Sequence, residues 1–139
     1  VNWIFCSEFI DRARAHRGAK EWRLMQALCE YLDANRAFYH RVFAAEGQNC
    51  FTEYFSEFVA SVISEEVKKM FADQNEEDMA FYIGFYTDAF VMSIRKWILK
   101  QEDISSRRFI HLLRTGLIHT SLAVLQRLPR GNEQQEENV

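Results

Sequence analysis

A chain of 139 residues, 48% hydrophobic and 14% aromatic, is long enough to bury one core and too apolar to remain disordered. One proline and five glycines leave long uninterrupted segments, which argues against a strand-and-turn architecture and for an all-α one. A net charge of -3 argues against a stand-alone nucleic-acid-binding module, which needs a basic excess to meet phosphate.

Six helices are predicted. The first runs from about Asn2 to Arg17, with Trp3, Ile4, Phe5, Phe9, Ile10 and Ala13 apolar and Gly18 as its stop. Arg12, Arg14 and Arg17 suit the negative end of its dipole, and with Lys20 and Arg23 they read as a solvated face. The second, about Lys20 to Asp33, carries Trp22, Met25, Leu28, Cys29 and Leu32 at spacings of three and four. The third is short, about Arg36 to Ala45, with Phe38, Tyr39, Val42 and Phe43, and Gly47 follows it.

The fourth, about Cys50 to Ala72, has the cleanest stripe: Phe51, Tyr54, Phe55, Phe58, Val59, Val62, Ile63, Val67, Met70 and Phe71. Asn75 caps the fifth, with Glu76, Glu77 and Asp78 in its first turn, and Lys96 and Lys100 close it. Its body, Met79 to Lys100, is apolar on nearly every side, yet Asp88, Arg95 and Lys96 interrupt any membrane-length run. Two apolar faces imply one for the helix's own core and one for a partner or ligand. Ser105 caps the sixth helix, with Phe109, Ile110, Leu112, Leu113, Leu117, Ile118, Leu122 and Leu125. Residues 129–139 read as a polar, acidic, disordered tail.

Chemistry-bearing patterns are scarce. His16, His40, His111 and His119 have no histidine partner at a spacing of four and no Glu three residues before them, so the di-iron pattern is absent. Glu53 and Glu57 are one turn apart, but on the polar face of their helix. No phosphate-cradling glycine loop and no nucleophile elbow occurs. A haem would need a proximal histidine, for which only His40 or His111 could be proposed, and the helix pattern after Gly47 fits poorly. No metal, no cofactor and no catalysis are expected. Cys6, Cys29 and Cys50 are odd in number and lack a CxxC spacing, which points to buried thiols in a reducing, cytoplasmic compartment. Neither a signal-peptide pattern nor an apolar run of membrane-spanning length is present, so no membrane partner is expected.

With the helices placed, three segments carry a resemblance. They are Leu28 to Tyr39, where one helix gives way through Asn35 and Arg36 to a short aromatic one; Phe51 to Phe55, which opens the long fourth helix; and Phe85 to Ile98 with its terminal Trp97, followed by the Ser105 cap. Over about residues 20 to 126 the chain resembles the C-terminal ligand-binding and dimerisation domain of the TetR family of bacterial transcriptional regulators. The branch that includes regulators of dihydroxyacetone kinase is the nearest in pattern.

The resemblance implies a domain over residues 1–128, with 1–17 as the connecting helix. The N-terminal helix-turn-helix domain of the family, through which operator DNA would be bound, has no counterpart in this sequence. It also implies a pocket for a small apolar or aromatic effector. The residues expected there are Trp3, Tyr39, Phe43, Phe55, Phe58, Val62, Phe81, Phe85 and Tyr86, set against the plainer reading that these rings only fill the core. A homodimer is implied in which the last two helices pack as a four-helix bundle through Phe90, Ile94, Trp97, Leu112, Leu113 and Leu117. The alternative is an all-α interaction module whose signal is a partner protein. Light scattering is expected to return twice the 16.5 kDa chain mass, and a monomer at tens of micromolar would count against the dimeric reading.

Overall fold

The computed structural model describes residues 2–10, 21–45, 49–100 and 103–120. Among them there are helices and no strands, the all-α architecture expected of the chain. The first segment is α1 (Asn2–Phe5), which runs directly into one π-helical turn, Cys6–Ile10. Then come α2 (Glu21–Ala34), α3 (Arg36–Ala44), α4 (Asn49–Met70), α5 (Glu76–Lys100) and α6 (Ser106–Thr115), which ends in a second π-helical turn, Gly116–Thr120. Expected residues 11–17 of the first helix, the end of the sixth and the acidic tail lie outside the described residues, as do the side chains of Trp3 and Cys50.

Local chemistry sets the helix starts. The Asn75 side chain accepts from the Asp78 N–H at 2.9 Å, and Glu76, Glu77 and Asp78 add negative charge where the α5 dipole favours it. The Ser105 hydroxyl accepts from the Arg108 N–H and opens α6. Between α4 and α5 the chain turns within a few residues, closed by Gln74 N–H to the Phe71 carbonyl. So short a connection makes α4 and α5 antiparallel neighbours. Phe71 seals that end by stacking on Tyr82, ring centres 4.0 Å apart.

The core is one cluster drawn from every described helix. The α4 stripe faces inward as expected: Phe51, Phe55, Val59, Val62, Ile63 and Val67 are all buried. On α5 the buried face is Phe90, Val91, Ile94, Trp97 and Ile98, with Thr87 beside them returning its hydroxyl proton to the Ile83 carbonyl. This corrects the assignment of Phe90, Ile94 and Trp97 to a dimer surface. They are used up inside the single chain, and Leu117 on the turn after α6 is equally buried.

Trp97 shows why. Its ring stacks on Phe109 at 4.5 Å, its indole N–H donates to the Ile104 carbonyl, and the Arg36 guanidinium lies 4.8 Å from the ring centre. Arg36 also donates to the Trp97 and Ile98 carbonyls and pairs with Asp33, so two of the orphan carbonyls in the last turn of α5 are met by a side chain of α3. Arg95 of α5 donates in turn to the Phe43 carbonyl near the end of α3. One aromatic residue and two arginines thus join α2, α3, α5 and α6. Trp97→Ala removes a fully buried ring and leaves Arg36 without its stacking face. Urea denaturation is expected to show a loss of about 3–5 kcal/mol.

Candidate functional site

The site grows from an i, i+4 pair of phenylalanines. Phe5 and Phe9 leave the same side of the first segment and are both buried. Their rings stack at 5.5 Å across the start of the π-helical turn, a widened geometry often found at functional positions. Phe5 then meets Tyr31 of α2, Tyr39 of α3, and Phe51, Tyr54, Phe55 and Phe58 of α4, at centre separations of 5.7–6.4 Å. Most of these contacts are edge-to-face, the arrangement the ring quadrupole favours. Phe43 closes the far side against Phe51 and Phe55.

Three polar groups thread the rings. Tyr31 donates its hydroxyl proton to the Glu8 carboxylate at 2.8 Å. The Tyr31 and Tyr39 hydroxyls are 2.9 Å apart. Because the Tyr31 proton is committed to Glu8, Tyr39 is the donor within that pair. The order is therefore Tyr39 to Tyr31 to Glu8, from a fully buried hydroxyl outward to an exposed carboxylate. Nearby, the Cys6 thiol donates to the Tyr54 hydroxyl at 2.8 Å.

The expected pocket residues divide in three. Tyr39, Phe43, Phe55, Phe58 and Val62 belong to this cluster or the core directly below it. Tyr86 lies instead near the α4–α5 turn, beside Phe71. Phe81 and Phe85 stack on each other and remain 66% and 59% exposed, so they face away from the cluster. The reason is angular: α5 buries the face through Thr87, Phe90, Ile94 and Trp97, and Phe81 and Phe85 lie off that stripe. Phe5, Phe9, Tyr31, Phe51, Tyr54 and Glu8 were not among the expected site residues. The spacing of Phe5 and Phe9 was the sequence signal that could have found them.

Elsewhere, an open cleft of about 490 Å³ lies along α3, lined by Arg36, Ala37, His40 and Arg41. Its two arginines make hydrogen bonds to carbonyls, Arg36 to α5 and Arg41 to Ala37. Among the described residues no group of His, Cys, Asp or Glu is arranged to hold a metal.

Burial raises the Tyr39 hydroxyl well above the ordinary tyrosine range, and its hydrogen bond to Tyr31 adds to the effect. Burial likewise pushes the Cys29 thiol up, with Glu30 and Asp33 contributing. Both groups keep their protons in the folded chain while the unfolded chain loses them, so the unfolded state is favoured as pH rises. Stability is expected to be flat with respect to these groups below pH 9.0 and to fall progressively above it. Alkaline denaturation of the parent and of Tyr39→Phe checks this: the variant should lose stability less steeply above pH 10.0.

Residues 20–118 match the family model described as transcriptional regulator C-terminal region, TetR_C_8. No curated protein and no solved structure matches the chain. The match spans most of the sequence and covers α2 to α6, which surround Phe5 and carry Trp97, but not the first segment that supplies Phe5, Glu8 and Phe9. The chain belongs to the TetR-type family of transcriptional regulator C-terminal regions.

Proposed function

We propose that this chain is the effector-binding and dimerisation region of a TetR-type regulator, and that the cluster around Phe5 is where a small apolar or aromatic effector acts. The observation that carries this reading is the cluster itself. It gathers the first segment, α2, α3 and α4 around shared rings, and its oriented hydroxyls could give an effector direction as well as affinity. An effector that prefers one seating of the first segment would bias whatever that segment is joined to. Operator affinity would then change by linkage, through a DNA-reading domain outside these residues.

The dimer surface follows from what the core leaves over. Phe81, Phe85 and Met92 on α5, and Leu112 on α6, are large, apolar and exposed. Gly84, Asp88 and Ala89 lie on the same exposed side of α5, and among the described residues nothing beyond the adjoining helix backbone comes within 4 Å of where a Gly84 side chain would begin. A second copy packed there would bury the outer apolar face of α5, as a four-helix bundle requires. The same face favours the alternative reading, in which the partner is a different protein.

Phe85→Glu places a charge on that face without touching the buried one. Light scattering is expected to give a dimer for the parent and a monomer of unchanged helix content for the variant. A variant that stays dimeric would remove this surface from the proposal. A monomeric parent would favour the partner-protein reading.

A further inference from the structure

The first segment presents to the cluster the two features that an aromatic acid would bring. Phe9 lays its ring against Tyr31, centres 5.3 Å apart and planes 29° from parallel, and meets the edge of Phe58 at 5.6 Å. Its neighbour Glu8 supplies the carboxylate that accepts the Tyr31 proton. A ring stacked on a tyrosine and a carboxylate on that tyrosine's hydroxyl come from adjacent residues, so they arrive and leave together. Phe9 is buried, whereas Glu8 is exposed, so the ring end points inward and the charged end stays at the rim. Both sit on the short π-helical turn Cys6–Ile10 and not on one of the long helices.

We infer that Glu8 and Phe9 are an internal stand-in for the effector, and that the effector class is a planar aromatic carboxylate which replaces them. The inference rests on the effector-binding reading above and sharpens it. A ligand that brings its own carboxylate can take over the place of the Glu8 carboxylate on the Tyr31 hydroxyl, a charge-assisted hydrogen bond that a plain hydrocarbon cannot offer. A ligand that takes the position of Phe9 forces residues 2–10 off the cluster. Ligand binding and release of the first segment are then one event. The parent chain binds more weakly than its bare site would, because the stand-in occupies the site most of the time.

The test uses the 139-residue chain with benzoate as the probe and toluene as its counterpart lacking an acceptor. Calorimetry gives affinity, and amide hydrogen exchange reads residues 2–10. Benzoate is expected to bind the parent and to speed exchange over 2–10. Phe9→Ala is expected to bind it about tenfold tighter, as loss of an internal competitor requires. Toluene is expected to bind the parent less well than benzoate.

Any ring deletion can leave a void that binds aromatics, so Phe58→Ala is the control. In that variant Phe9 still covers Tyr31, so any gain in affinity from the new void should come with no more exchange over 2–10 than benzoate causes in the parent. A helical Phe9→Ala with no gain in affinity overturns the inference, as does a benzoate-saturated parent with residues 2–10 still protected. Failure of both proteins to bind benzoate overturns it as well. A further variant, Phe43→Leu, separates the two levels. If it weakens benzoate binding while residues 2–10 stay protected, the cluster stands as the effector site and only the stand-in falls. If it leaves binding unchanged and residues 2–10 protected, the site lies elsewhere and the effector-binding reading of the cluster falls too.

Discussion

Phe5 has no exposed surface, and its ring is enclosed by rings from α2, α3 and α4. Flat rings fit together only in a few relative orientations, because the face of each is electron-rich and its edge is not. Moving one helix therefore changes several ring contacts at once. The position of the first segment is set by this interlocking and not by any long run of backbone pairing. Placing Tyr31 and Tyr39 among the rings adds a second demand, because a hydroxyl taken from water needs a partner. The two hydroxyls meet that demand with each other and with Glu8, which is how a carboxylate at the rim becomes part of an aromatic core.

A second anchor works at the other end of the bundle. Trp97 is held by Phe109, by the Ile104 carbonyl and by Arg36 together. An arginine can both stack on an aromatic face and donate from its edge, and Arg36 does both while neutralised by Asp33. Once Trp97 is committed inward, the helical repeat fixes the rest of α5. Phe90 and Ile94 follow it into the core, and Phe81, Phe85 and Met92 are left outside. The apolar outer face is thus a consequence of the anchor, not a separate design.

Much of the architecture was legible along the chain. The breaks around Asn35, the cap at Asn75 and the Ser105 cap place the starts of α3, α5 and α6 within a residue or so of where they fall. The α4 stripe lies inward as its three- and four-residue spacing requires. These features are local: a cap needs only the residues of one turn, and a stripe needs only the helical repeat.

The division of roles among the aromatics was not legible in the same way. Phe85 and Phe90 look alike on α5 in sequence, yet one is exposed and the other buried. With apolar residues on nearly every side, the stripe that becomes the inner one depends on which neighbours are present. Arg36, Phe109 and Ile104 make that choice from other elements, and for Arg36 the contact to Trp97 spans 61 positions. The pairing of Tyr39 with Tyr31 and of Tyr31 with Glu8 depends in the same way on the meeting of three helices. Composition, caps and periodicity by themselves determined an all-α chain with its helices in place. Only packing decided which apolar face became core and which hydroxyls found each other, because both depend on contacts between residues far apart in the chain.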